Sequence, residues 1–309
     1  MVILVNTAAS GGTALRKWRT VRTHLTELGI AGEAFLTNGK ISAQQAVCQA
    51  LDSGETEFVA AGGDGTVNLL LNLLIEFATP AQLATLRLGA IGIGSSNDFH
   101  KPYKSEHTFR EIPCALGFRA ASPRDVGRVV YDDGGSERTR YFLINASAGA
   151  TARANFTFNN PDRVLRMLKR FSTDAAILYA AVRTIFLHRN QDVRIVCPVR
   201  GSVTTPLTNF ALLKNPNVSG GLSYGGSPSY DDGTLRVCLA HSMNRNDLFR
   251  LLWSLQKKRF PAWPTCDSWT SPSVALSSPE PFAVEYDGEV ISTTSARFDV
   301  LHNHLRVCP

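Results

Sequence analysis

The chain has 309 residues, 44% of them hydrophobic and 19% charged, and a formal net charge of +6. This is enough apolar material for a soluble globular protein of two ordinary domains. The positive balance favours an anionic partner, such as a nucleotide or an acidic membrane surface, and no nucleic-acid motif accompanies it.

The opening Met1-Val-Ile-Leu-Val-Asn6 lacks the basic flank and apolar length of a signal peptide. Apolar stretches at 69–77 and 175–182 are too short or too interrupted to span a bilayer. Six cysteines without CxxC spacing fit free thiols in a cytoplasmic protein. In chain order, the apolar pattern predicts a strand at 2–5, a helix at 13–28, a strand at 33–36, a helix at 42–53, a strand at 57–61, a helix at 67–77 and a strand at 88–93. Such alternation implies a Rossmann-like α/β domain over residues 1–125, a parallel sheet with helices on both faces. Beyond Asp125 the pattern turns strand-rich, at 127–131, 140–145, 193–199, 208–213, 235–240 and 282–286. Helices are expected at 162–188, with a break near Ser172, and at 245–258. We read residues 126–299 as a mainly antiparallel, β-rich second domain, with 300–309 returning to the first and the cleft between the domains as the expected active site.

Two turns carry the chemistry. In Glu57–Leu74 an apolar strand, a triple-glycine turn (Gly62, Gly63, Gly65) around Asp64 and an amphipathic helix follow in direct succession. Glycine allows unusual φ/ψ and close approach to a ligand, and the helix aims free N–H groups and its positive dipole end at the same place, a design suited to phosphate. A carboxylate there repels a bare anion unless a cation intervenes, which suggests a nucleotide with Mg²⁺. A plain strand-to-helix turn is the competing reading. Neither GxGxxG nor GxxxxGK[ST] is present. About 32 residues on, Leu88–Phe99 is another apolar strand ending in Gly94, Ser95, Ser96, Asn97 and Asp98. In an open parallel sheet both turns lie at the carboxyl edge, where such sheets bind ligands.

Taken together, Gly62-Gly-Asp-Gly-Thr-Val-Asn68, Gly94-Ser-Ser-Asn-Asp-Phe99 and Asp287-Gly-Glu289 resemble the diacylglycerol kinase catalytic-domain family, in particular its soluble bacterial lipid kinases. Val5-Asn6, Tyr141-Phe-Leu-Ile-Asn145-Ala-Ser-Ala-Gly149 and Asp231-Asp-Gly-Thr-Leu235 stand in the same order, so the likeness covers nearly the whole chain. The GGDGT element alone is shared with NAD kinases and 6-phosphofructokinases. The resemblance implies transfer of the ATP γ-phosphate to a lipid hydroxyl. Asn6, Thr37, the run Gly62, Gly63, Asp64, Gly65, Thr66, Val67 and Asn68, and the turn Gly94, Ser95, Asn97 and Asp98 would then surround the nucleotide. It also implies Glu289 as the base that takes the lipid hydroxyl proton, with Asp64 and Asp287 as further catalytic carboxylates, and Asp64, Asp98 and Asp125 around a Mg²⁺ and water network. For Asp287-Gly288-Glu289 a simple hairpin is the competing reading. A structural Mg²⁺ is implied at Asp232, with the main chain of Ser229 and Thr234.

Three departures point to a divergent subgroup: Asn6–Gly11 where the family has Asn-Pro-x-Ser-Gly, Ser96 in place of a small residue, and His100 in place of alanine. The 228–234 segment is about two residues shorter than the family's loop. Leu248–Pro264 with Lys257, Lys258 and Arg259, and the helix carrying Arg163, Arg166, Lys169 and Arg170, are candidates for peripheral membrane contact. The lipid and the oligomeric state stay open. So do two rival readings, an NAD kinase or other small-molecule kinase and a non-catalytic nucleotide or lipid-binding protein.

Overall fold

The computed structural model describes residues 1–9, 13–27, 29–37, 39–101 and 107–309. Ser10 and Gly11 of the first turn, and Asn38 beside Thr37, lie outside them. The chain divides into two compact units, Met1–Arg124 with Asn303–Pro309, and Asp125–His302.

In the first unit β1 (Val2–Asn6), α1 (Ala14–Glu27), β2 (Glu33–Thr37), α2 (Lys40–Asp52), β3 (Glu57–Gly62), α3 (Asp64–Phe77), the single turn α4 (Pro80–Leu83) and β4 (Arg87–Gly92) follow one another. The strands pair in the order β2-β1-β3-β4, all parallel. Period-two alternation explains the layering. Ile3, Val5, Val59, Ala61 and Ile91 share one face with Ala14, Trp18, Val21 and Leu25, a helical stripe of α1. Leu4, Phe58, Ala60, Leu88 and Ala90 point to the other face and are equally buried. A short hairpin, β5 (His107–Phe109) and β6 (Ile112–Ala115), adds to β4. The register sets Asn6 opposite Thr37 and Gly62 opposite Gly92, so the carboxyl ends of these strands line up along one edge.

The second unit contains β7 (Ser122–Asp132), β8 (Glu137–Phe142), β9 (Asn145–Gly149), α5 (Ala150–Asn159), α6 (Arg163–Phe171), α7 (Thr173–Leu187), β10 (Gln191–Cys197), β11 (Gly201–Leu213), β12 (Asn217–Val218), β13 (Leu222–Ser223), β14 (Leu235–His241), α8 (Arg245–Gln256), β15 (Cys266–Ser271), β16 (Ser273–Tyr286) and β17 (Glu289–Val307). Its pairings are antiparallel: β9 and β10 each bridge β11 and β16, β14 joins β11 to β15, and β17 returns along β16. The end of β17, Arg306 and Val307, pairs in parallel with β4 within the first unit.

Along β11, Phe210 and Leu212 enter a core with Val129, Phe142, Val284 and Phe298. The intervening Ala211 and Leu213 meet Leu248, Leu251 and Leu255 of α8, whereas Phe249 and Trp253 of the same helix stay exposed. Ser172 interrupts the long helical stretch: its backbone is extended (φ −156°, ψ 121°) and its hydroxyl accepts from Ala175 N–H, ending α6 and capping α7. Helix α5 and strand β17 are longer or newer than the sequence pattern indicates. No helix among the described residues is long and apolar enough to cross a membrane, and all six cysteines are free thiols.

Candidate active site

Gly62 and Gly94 of the two turns owe their identity to crowding. None of Gly62, Gly63, Gly65 or Gly94 takes a positive φ, which corrects the expectation of unusual backbone angles. A Cβ on Gly94 would stand 2.2 Å from Gly63 Cα, and one on Gly62 would meet Thr66 Oγ1 at 2.1 Å. The two turns are thus pressed together, Gly94 N–H donating to Gly62 O at 2.9 Å. Asp64 opens α3 and ties the turns a second time, one carboxylate oxygen accepting Phe99 N–H at 2.9 Å. Asn6 donates through Nδ2 to Thr66 Oγ1 at 3.0 Å. Thr37 O accepts both the N–H and the hydroxyl of Thr7. Gly65 and Ser95 remain exposed, whereas Thr66, Val67 and Asn68 are buried.

Asn97 holds the second turn from a left-handed conformation (φ 50°), which asparagine tolerates better than most residues. Its amide donates to Gly92 O at 2.9 Å. Asp98 is 6% exposed and paired with Lys101, so its charge is already met. His100 is buried in the same turn with Nδ1 unpartnered, and burial pushes its imidazole down to about 4. The unfolded chain therefore binds a proton that the native turn refuses between pH 6.5 and about 4. Stability is fully present above that window and is lost as pH falls through it, by roughly 3 kcal/mol. Urea unfolding across the window should show this slope in the wild type and a flatter profile in His100→Leu; equal slopes would remove His100 as the cause.

In the second unit, Asp287 and Gly288 form a two-residue hairpin turn, both with positive φ (46° and 92°), between the paired residues Tyr286 and Glu289. The Asp287 carboxylate accepts backbone N–H groups from Leu143, Ile144 and Asn145 at 2.8, 2.9 and 3.1 Å. Buried Glu285 accepts Gly288 N–H at 2.7 Å and the Ser147 hydroxyl at 2.6 Å, and Asn159 donates to Gly288 O at 2.9 Å. This frame leaves Glu289 exposed at the first position of β17.

The segment expected to hold a structural Mg²⁺ already has a cation. Lys214, 1% exposed, donates from Nζ to Asp125 Oδ2 at 2.7 Å, Asp232 Oδ1 at 3.0 Å and Thr234 O at 2.8 Å. Asp125 also accepts Gly233 N–H at 2.8 Å and His302 Nδ1–H at 2.9 Å. Burial alone would raise the Asp232 carboxyl, but hydrogen bonds from Ser229, Lys214 and Thr234 outweigh it and hold the group below the ordinary carboxylate range. No group of three or more His, Cys, Asp or Glu that could hold a metal ion occurs among the described residues. The Asp232 carboxylate and the Thr234 carbonyl of the implied structural site, and Asp125 of the implied Mg²⁺ and water network, thus share one ammonium, which stands where a divalent ion at Asp232 would have to sit. Sequence reasoning passed over Lys214 and Glu285. The available signal was a charge set directly against an apolar strand, as in Phe210-Ala-Leu-Leu-Lys214 and Phe282-Ala-Val-Glu-Tyr286.

Comparison with known proteins agrees with this order of elements. Residues 1–129 match the diacylglycerol kinase catalytic domain, and residues 145–309, more than half of the chain, match the YegS C-terminal NAD kinase beta sandwich-like domain. The chain belongs to the diacylglycerol kinase catalytic-domain family. Its architecture is accordingly that family's two-domain arrangement with a β-rich second domain. A probable lipid kinase YegS-like protein of Chromohalobacter salexigens is 26% identical over 216 residues, 67% of this chain and 61% of that relative's length. A diacylglycerol kinase of Staphylococcus carnosus is 23% identical over 288 residues, 93% of this chain and 87% of the relative. Solved structures from Bacillus anthracis str. Sterne share the fold at 18% identity. One has a TM-score of 0.73 and covers 99% of this chain and 96% of its own. Another, named as a diacylglycerol kinase, has a TM-score of 0.67 and covers 99% and 95%.

Proposed function

We propose that this family member is an ATP-dependent lipid kinase, transferring the γ-phosphate to the hydroxyl of a lipid alcohol such as diacylglycerol. The observation that carries the reading is the contact of the two glycine turns at the carboxyl edge of the parallel strands. Only Cβ-free residues permit it, and it brings backbone amides, the N-terminus of α3 and exposed Ser95 to one strip of surface. In this reading the first unit is a Rossmann-like nucleotide-binding domain, with Asn6, Thr37, Gly62–Asn68 and Gly94–Asp98 around the nucleotide. The second unit receives the lipid.

Mg²⁺ held with the nucleotide phosphates would supply the neutralisation of charge that phosphoryl transfer requires beside positioning. Asp64, fixed by Phe99 N–H, orients the first turn toward that charged substrate. Glu289 accepts the proton of the attacking lipid hydroxyl. We assign Asp287 a positioning role rather than a reacting one, since its oxygens already hold three backbone amides. A peripheral membrane contact is assigned to α6, where Val164, Met167 and Phe171 are exposed beside Arg163, Arg166, Lys169 and Arg170. Co-sedimentation with vesicles that does not depend on anionic lipid would remove that part.

The deciding experiment is transfer of label from γ-labelled ATP with Mg²⁺ to a panel of lipid alcohols in mixed micelles, with NAD⁺ and no-lipid controls. Labelled lipid is the expected product. Label in NAD⁺ alone would move the activity to a small-molecule kinase, and ATP binding without transfer to any acceptor would favour a binding role.

A further inference from the structure

Lys214 follows the last residue of β11 and is pinned through its backbone at both atoms. Its N–H donates to Ile144 O at 3.0 Å, and its carbonyl accepts Ser229 N–H at 3.0 Å, from the very segment where a metal would be expected. The buried stem carries the ammonium to a point where three N–H donors meet three acceptors: two carboxylates, Asp125 and Asp232, and the Thr234 carbonyl. An ammonium has three donors and no acceptor, so this coordination is complete. Asp232 closes the loop on itself as well, accepting Thr234 N–H at 3.0 Å and the Thr234 hydroxyl at 2.9 Å. Mg²⁺ would demand close to octahedral oxygen coordination at about 2.0–2.1 Å. The Nζ–oxygen separations of 2.7 to 3.0 Å are hydrogen-bond lengths, and the ammonium fills the space between the same oxygens. A second cation placed there would also meet the Lys214 charge at contact distance.

We propose that Lys214 is a built-in structural cation, its side-chain ammonium doing for the 228–234 segment what a bound divalent ion would do, so that the second unit holds this segment without metal. The arrangement joins the start of β7 through Asp125, the end of β11 through Lys214 and the loop before β14 through Asp232–Thr234 in one charge-assisted network. Removing the ammonium takes the Lys214 charge from Asp125, whose side chain is 0% exposed, and breaks a buried ion pair.

The test reads unfolding rather than transfer, so it holds or fails independently of the kinase assignment. Thermal unfolding of the full chain without nucleotide should give the same midpoint in EDTA and in Mg²⁺, within about 1 °C. A midpoint that falls in EDTA overturns the proposal. Lys214→Ala should lower the midpoint by roughly 10 °C, the scale expected for breaking a buried ion pair. Part of the loss should return with Mg²⁺ or Mn²⁺, because Asp125, Asp232 and the Thr234 carbonyl then surround a vacated space. A Lys214→Ala midpoint equal to wild type, or a lowered one that neither ion raises, overturns the equivalence of the two cations. Should Lys214→Ala fail to fold, Mn²⁺ titration of wild type against Asp232→Asn decides. No Asp232-dependent Mn²⁺ site is expected, and finding one overturns the proposal.

Discussion

Glu289→Gln should lower phosphate transfer by roughly 10²–10⁴-fold and leave nucleotide affinity within about twofold. The side chain is exposed at the first position of β17, and its carboxylate makes no hydrogen bond or ion pair among the described residues, so glutamine can take the same place without disturbing a partner. What glutamine cannot do is accept a proton from an attacking hydroxyl. The loss should therefore fall on kcat, with the KM for ATP nearly unchanged. Asp64→Ala gives the opposite signature, weaker Mg²⁺-nucleotide binding, because Asp64 ties the two glycine turns through Phe99 N–H. Wild-type turnover in Glu289→Gln would take Glu289 out of the proton transfer. A parallel fall in ATP affinity would instead make it a binding residue.

The contrast between Asp64 and Glu289 follows from where each sits in the chain. Asp64 lies in a strand-turn-helix unit whose parts are contiguous, and this unit was legible because glycine and aspartate interrupt an otherwise apolar run. Even there the local pattern does not show why the glycines are needed. The sequence suggests freedom of φ, whereas the structure uses the missing Cβ atoms to seat Gly94 against Gly63, two residues about 30 positions apart whose contact no local pattern announces. The helix also starts at Asp64 rather than at residue 67, since Gly63 supplies the break in backbone geometry and Thr66 and Val67 N–H both reach Gly63 O.

The second unit was harder to read for related reasons. Strand β17 runs through Ser292-Thr-Thr-Ser-Ala296, where the residues are small and mostly polar and the buried ones, Thr293 and Ala296, lie three apart, so no period-two alternation marks the strand. Helix α5, Ala-Thr-Ala-Arg-Ala-Asn-Phe-Thr-Phe-Asn, contains threonine, asparagine and phenylalanine, weak helix formers, and its identity comes from tertiary context. The Lys214 network is invisible in one dimension because its acceptors lie 89, 18 and 20 positions away. A metal loop inferred from Asp231-Asp-Gly-Thr234 is a reasonable reading of the acceptors alone; the cation is supplied from another strand. Likewise the Asp-Gly pair at 287–288 reads in the sequence as either a hairpin or part of a site. It is a hairpin by geometry, and the proposed role of Glu289 uses it as such, since a two-residue turn with both central φ values positive fixes the register of the residue that follows.

Asp287→Ala should be among the most destabilising single substitutions in the second unit. Asp287 is 3% exposed, and removing its carboxylate leaves the N–H groups of Leu143, Ile144 and Asn145 without their acceptor in a region closed to water. Each buried unsatisfied donor costs about 1–3 kcal/mol, so three together approach the about 5–15 kcal/mol by which a native domain is stable. Alanine also tolerates the positive φ of 46° at this position less well than aspartate. Urea unfolding should show a midpoint well below wild type, with Asp287→Asn between the two, because the asparagine amide keeps one oxygen acceptor and turns a donor toward a donor. A midpoint for Asp287→Ala within about 1 kcal/mol of wild type would mean that these three bonds do not hold the hairpin. The asparagine variant separates positioning from chemistry. If Asp287 only holds the turn that carries Glu289, transfer by Asp287→Asn should follow its folded fraction, recovering at temperatures or osmolyte levels that restore folding. A reacting carboxylate would stay inactive however well the variant folds.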